Sequence, residues 1–251
     1  MNSISITDTG KNRPDGNIQQ LTMEPTRLSL PPSSENPEYP APLGQYKVHT
    51  QLRYRDGEKY WQIHEVTKGS ALRPQTEAII QKQYRTIHSA DISEFLPNLF
   101  TISDESIMWG AVGLKCFDHR IGLVEQYLDA PVETAIGHYT GITPERSRVV
   151  EVGNLAAATL HAAIRLIAFL CHEAHSREFE YAIFTGIKSV RVALQRLHIN
   201  YFEMQPADPV RLHTDKESWG SYYENDPRVM VVNVADAAAA TALIFCIERG
   251  I

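Results

Sequence analysis

Val149-Val-Glu-Val-Gly-Asn-Leu-Ala156 decides the reading of this chain. It opens as a buried strand, because Val149, Val150 and Val152 are β-branched and apolar. It then breaks its own pattern. Glu151 places a carboxylate in the run, Gly153 permits a bulge or a close backbone approach, and Asn154 follows. A plain core strand over 149–155 needs none of these. Ala156-Ala-Ala-Thr159 opens a helix over residues 159–173, where Leu160, Ala163, Ile164, Ile167, Ala168, Leu170 and Cys171 make a wide apolar face. The N–H groups of a helix start suit an anion such as the pyrophosphate of coenzyme A. Two readings of Glu151 and Asn154 stand side by side: they take part in chemistry, or they satisfy loop amides.

Downstream, residues 181–187 read as a short buried strand. Residues 189–197 read as an amphipathic helix with Arg191, Gln195 and Arg196 on the wet side, 201–204 as a further strand, and 235–251 as an Ala-rich helix. Upstream, strands are expected over 46–54 and 60–66 around a turn at 55–58, and over 99–102 and 107–117 around a turn at 103–106. Between them residues 73–87 carry Ala78, Ile79, Tyr84 and Ile87 at helical spacing, with Thr76 or Ser70 as cap. An antiparallel start followed by strand–helix alternation predicts an α/β (α+β) fold with a mixed central sheet flanked by helices. The domain is expected over 46–234. Residues 1–45, with the Pro- and Ser-rich LPPSSENPEYPAPLG, hold too little apolar surface to offset their ordering entropy and read as a disordered or loosely docked tail.

The 251 residues, 43% hydrophobic, suffice for one sizeable core. A net charge of -6 lacks the basic footprint of a nucleic-acid binder. Cys116, Cys171 and Cys246 are too scattered for a disulfide framework and read as reduced thiols of a cytoplasmic protein. The first residues lack the apolar core of a secretory signal. The most apolar run, 155–171, is broken by His161 and Arg165 and is too short to span lipid. The chain has no P-loop, GxGxxG or GxSxG motif. His172 and His175 are three apart with no evident third ligand, so no metal is expected.

Two further segments carry polar chemistry. Glu125 and Gln126 follow the apolar pair Leu123-Val124. A partly buried carboxylate there would have a raised pKa and serve as a base toward an amine; the other reading is a helix-start acid favoured by the helix dipole. Residues 218–227 set Trp219, Tyr222 and Tyr223 among Gly, Ser, Asn and Pro, either lining an acyl or amine pocket or packing as a lid over the sheet edge.

The runs Val124-Glu-Gln-Tyr-Leu-Asp-Ala-Pro-Val-Glu133, Val150-Glu-Val-Gly-Asn-Leu-Ala156, Phe184-Thr185, Leu194-Gln-Arg-Leu197, Ala207-Asp-Pro209 and Trp219-Gly-Ser-Tyr-Tyr-Glu-Asn-Asp-Pro-Arg-Val-Met230 resemble the thermostable hemolysin family in order and spacing. The likeness extends from the helix at Arg73 to Met230. That family is similar to acyl-homoserine-lactone synthases and N-acyl amino acid synthases of the GNAT superfamily. The resemblance implies a GNAT-like acyltransferase fold whose two middle strands, 149–155 and 181–187, splay apart to admit a thioester. It implies an N-acyltransferase that takes an acyl group from a coenzyme A or acyl-carrier-protein thioester to the amine of a small molecule such as an amino acid. No permanently bound cofactor is implied.

Under that resemblance Glu151 and Glu125 are the base candidates, Glu151 falling near a carboxylate that the lactone synthases keep on this strand. Main-chain groups of Gly153, Asn154, Leu155, Ala156, Ala157 and Ala158 would hold the phosphopantetheine arm. Gln126, Thr185 and Trp219 would contact substrate, and Tyr222, Tyr223 or a water would protonate the leaving thiolate. The chain departs from the GNAT pattern in two places. Residues 154–162 read NLAAATLHA, without the second glycine or an arginine, and Leu194 stands where a tyrosine is usual. Two alternatives follow: a membrane-active hemolysin-type protein, as the family name suggests, and a catalytically silent binding module that keeps the fold.

Overall fold

The computed structural model describes residues 3–4, 50–56, 59–104, 107–117, 121–213 and 216–249. In chain order the elements are β1 (Ser3–Ile4), β2 (Thr50–Asp56), β3 (Lys59–Val66), α1 (Arg73–His88), β4 (Asn98–Ser103), β5 (Met108–Cys116), α2 (Val132–Thr140), β6 (Val149–Ala157), α3 (Leu160–Ser176), β7 (Tyr181–Gly186), α4 (Lys188–Arg196), β8 (Phe202–Pro206), β9 (Arg228–Asn233) and α5 (Val234–Arg249). The strands join into one mixed sheet in the order β2-β3-β4-β5-β6-β7-β9-β8, with β1 beside β7. Strands β2 to β6 are antiparallel neighbours. The pair β6–β7 is parallel, which requires a crossover, and α3 supplies it.

Side-chain alternation along the central strands feeds two cores. Val150, Val152, Ala182, Phe184, Met230 and Val232 pack with Ala163, Leu166, Ile167 and Leu170 of α3. Val149, Tyr181, Ile183, Val229 and Val231 pack with Val132 and Ile136 of α2. Both faces of β6 and β7 are therefore covered, and their residues are buried throughout. Phe100 of β4 meets Phe169 of α3 with ring centroids 5.2 Å apart. Each such fully buried large side chain contributes about 1.5–3 kcal/mol. The Ala-rich α5 lies along α3, where small side chains permit close approach, and Thr241 Oγ1 lies 3.3 Å from His172 Nε2.

Several boundaries differ from the sequence expectation. β6 runs to Ala157 rather than Leu155, so Ala156 and Ala157 belong to the strand and not to the helix start. The helix begins at Leu160, with Thr159 as cap accepting from the Ala162 N–H at 3.1 Å. Neither Thr76 nor Ser70 caps α1: Leu72 stands at that position without a side-chain cap bond, and Pro74 begins the helix without needing an N–H. Three elements went unexpected, β1, α2 and β9. Residues 46–49 of the expected first strand lie outside the described residues. So does the expected tail over 1–45, apart from Ser3–Ile4, which is sheet.

Candidate active site

β6 and β7 pair at Val149↔Tyr181, Val150↔Ala182 and Glu151↔Ile183, and among the described residues they share no further pairing. Both strands run on, β6 for six residues and β7 for three. The middle of the sheet is therefore split, with Glu151 and Ile183 at the vertex. The cause of the split is local. Pairing of β5 with β6 shifts register between Ala111 and Gly113, opposite Gly153–Ala156. Asn154 sits there with φ +53°, a left-handed conformation that asparagine tolerates better than most residues. Its side chain is pinned on both sides: Oδ1 accepts from the Leu96 N–H at 2.8 Å, and Nδ2 donates to the Glu94 carbonyl at 3.3 Å. A bulge bends the strand that carries it, and here it turns β6 away from β7.

At the vertex Glu151 is 1% exposed. Its Oε1 accepts from the Val124 N–H at 2.9 Å and its Oε2 from the Leu123 N–H at 3.3 Å. Lys115 Nζ stands 4.0 Å from Oε2 and donates to the Ile121 carbonyl at 2.9 Å. The carboxylate thus seats the start of a 3-10 turn, Val124–Tyr127. Gly122 makes this approach possible, since a Cβ there would lie 2.2 Å from the Phe117 ring and 2.8 Å from Glu151 Oε2.

Glu125 differs from its expectation. Burial works to raise its pKa, but hydrogen bonds from Arg146 and from the Gly122 and Val132 N–H groups outweigh it, and the carboxyl is held below its ordinary value. Arg146 grips both oxygens at 2.7 Å and lies 5.3 Å over the Phe117 ring. A lowered pKa and a bidentate partner make Glu125 a poor base; the sequence could not show Arg146 as its partner. Gln126 is engaged in the same turn, its Oε1 accepting from the His213 N–H at 2.9 Å.

The turn also presents Tyr127, which sequence reasoning passed over although it lies within Val124-Glu-Gln-Tyr127. It is fully buried, and its hydroxyl is 2.7 Å from that of Tyr223. Burial, then the neighbouring Tyr223 and Tyr222, and the nearby Glu151 charge all push the Tyr127 phenol up. Burial likewise raises Tyr223. Both phenols are therefore neutral at ordinary pH. Tyr222 packs 5.3 Å from both Trp219 and Tyr223 and edge-on to His88 at 5.2 Å. Gly220, at φ +50°, lets this segment press against the end of α1, where Ser221 N–H donates to the His88 carbonyl at 2.8 Å.

The structure thus seats the turn carrying Glu125 and Gln126 on Glu151 of β6, and joins that turn through Tyr127 to Tyr223, which packs with Trp219 and Tyr222. Thr185, 1% exposed, lies on β7 beyond the vertex and by alternation shares the sheet face of Ile183. Gly153, Leu155, Ala156 and Ala157 run along the β6 side of the split, with Ala156 and Ala157 opposite Ala111 and Gly110 of β5. Ala158 is excluded as an arm-binding amide: its N–H donates to the Trp109 carbonyl at 2.8 Å.

Among the described residues no helix is long and apolar enough to cross a membrane. The N-acyl amino acid synthase FeeM from uncultured soil microbes superposes with a TM-score of 0.52 at 14% identity, over 75% of this chain and 97% of FeeM. Lower on the scale are the AHL synthase LasI (TM-score 0.46, 8% identity, 70% of this chain and 90% of LasI) and the CoA-dependent acyl-homoserine lactone synthase MesI (0.42, 14%, 73% and 94%). The fold is the GNAT-like acyltransferase fold. No curated protein matches the chain. Residues 66–238 match the profile of the family described as Thermostable hemolysin, and the chain belongs to that family.

Proposed function

We propose that this protein is an N-acyltransferase that carries an acyl group from a coenzyme A or carrier-protein thioester to the amine of a small molecule such as an amino acid. The observation that carries the proposal is the divergence of β6 and β7 past Glu151 and Ile183. An extended, amide-bearing pantetheine arm can lie between two such strand edges much as a strand pairs. Main-chain N–H groups of residues 153–157 on the slot side then polarise the thioester carbonyl. The amine nitrogen attacks that carbon, a C–N bond forms and the C–S bond breaks. The nitrogen gives up a proton to water, and the sulfur gains one.

In this reading Tyr223, half-buried and bonded to Tyr127, delivers the proton to sulfur and is reprotonated from solvent. Glu151 and Glu125 act as positioning residues, since hydrogen bonds to the 122–132 backbone already engage their oxygens. Trp219 and Tyr222, expected to face substrate, are fully buried in the core and pack behind Tyr223 instead, which leaves Gln126 and Thr185 as the substrate-contact candidates. The donor is a substrate that leaves as a thiol, not a resident cofactor.

The test is a thermal-shift series with decanoyl-coenzyme A and decanoylated carrier protein, followed by mass spectrometry of a mixed amine panel. An upward shift and a new amide support the reading, and Tyr223→Phe should lower kcat on the order of a hundredfold. No shift and no amide would leave a silent module of the same fold. Lysis of erythrocytes by purified protein without any thioester would favour the membrane-active alternative.

A further inference from the structure

The slot is occupied. Ser3–Ile4 runs parallel to β7, with Ser3 opposite Thr185 and Ile4 opposite Gly186, and it also lies against β6. These are the β7 positions just past the vertex, where β6 has already parted from its neighbour. On its other edge β7 is paired there with β9, Thr185 to Val229 and Gly186 to Arg228. The dipeptide therefore supplies the pairing that β6 gives up. Ser3 and Ile4 are uncharged and Ile4 is β-branched, which suits strand pairing.

We propose that the split between β6 and β7 is a peptide-binding groove for the chain's own residues 3–4, and that this segment excludes a pantetheine arm while it is seated. The exclusion rests on the acyltransferase reading above; the groove itself rests on the pairing alone. An unpaired strand edge is a template for any extended chain. A peptide and a pantetheine arm both offer spaced amides to that edge, so they compete for one set of partners. Two paired positions form a short ladder, and the segment detaches without disturbing β7, which β9 and β6 continue to hold. The protein would then meet its thioester in an equilibrium between closed and open slot, and its apparent affinity would scale with the open fraction.

The test compares the full chain, its Ile4→Pro variant, which lacks the residue 4 N–H, and a chain lacking residues 2–8. Hydrogen–deuterium exchange at residues 184–186 should speed up in both variants. Decanoyl-coenzyme A should bind them about tenfold more tightly than the full chain. A synthetic peptide of residues 2–8 added to the shortened chain should restore slow exchange and displace the thioester. Equal exchange at 184–186 in all three chains, with no binding of the peptide, overturns the groove. Peptide binding without binding of any coenzyme A or carrier-protein thioester keeps the groove and sinks the acyltransferase reading. Thioester binding that is equal in all three chains and indifferent to the peptide keeps the acyltransferase reading and sinks the exclusion.

Discussion

Asn154 shows how one side chain shapes the sheet. Its left-handed backbone and two side-chain bonds to residues 94 and 96 hold the bulge that opens the slot. Asn154→Ala should cost about 2–3 kcal/mol, combining lost hydrogen bonds with left-handed strain. Asn154→Gly removes the strain and should cost about 1 kcal/mol less. Urea denaturation separates the two. Glu151→Gln leaves the Leu123 and Val124 N–H groups facing a side chain with a single acceptor, and should cost on the order of 1–3 kcal/mol. The sequence raised both readings of this carboxylate, chemistry and amide satisfaction, and the observed hydrogen bonds favour a positioning role. His88 adds a pH response. Burial pushes its pKa from 6.5 down to about 4, so the unfolded chain takes up a proton that the folded chain refuses. Stability should be complete above about pH 6.5 and decline as pH falls toward 4, by on the order of 3 kcal/mol. His88→Gln should flatten that decline in thermal melts recorded across the range.

At the level of elements, the turn Val124–Tyr127 and its braces decide whether Tyr127 meets Tyr223. Arg146→Ala frees Glu125 and Glu133 and should cost about 2 kcal/mol for this largely buried pair. Faster exchange at residues 122–128 would report the loosened turn. The depressed Glu125 pKa gives stability that is present above the ordinary carboxylate range and lost as pH falls through the lowered value, and Arg146→Ala should remove that acid sensitivity. The elements legible in the sequence are the helices α1, α3, α4 and α5 and the strands β2 to β8, by their pattern or, for β7, as a short apolar run. β9 carries an apolar run of the same kind as β7, Val229-Met-Val-Val232, and went unread because it follows directly on the polar, turn-rich segment 218–227. α2 is short and follows Pro131, so its pattern is brief. Arg146 is 21 residues from Glu125, and no local signal links such a pair.

Across the whole molecule, the antiparallel start, the parallel β6–β7 pair and its α3 crossover were readable from the order of elements. The split between residues 149–155 and 181–187 was expected from the family resemblance, and from the residues themselves only as an irregularity at Gly153-Asn154. Residues 3–4 were not readable as sheet, because two residues carry no periodicity and their partner β7 is distant in the chain. Under the proposed function the slot between β6 and β7 receives the thioester arm. A diazirine-bearing pantetheine thioester, photolysed with the chain lacking residues 2–8 and mapped by mass spectrometry, tests it most directly. The account predicts saturable labelling within residues 152–157 and 184–186, competed by decanoyl-coenzyme A. Labelling that is unsaturable, or that falls outside both strands, would contradict it.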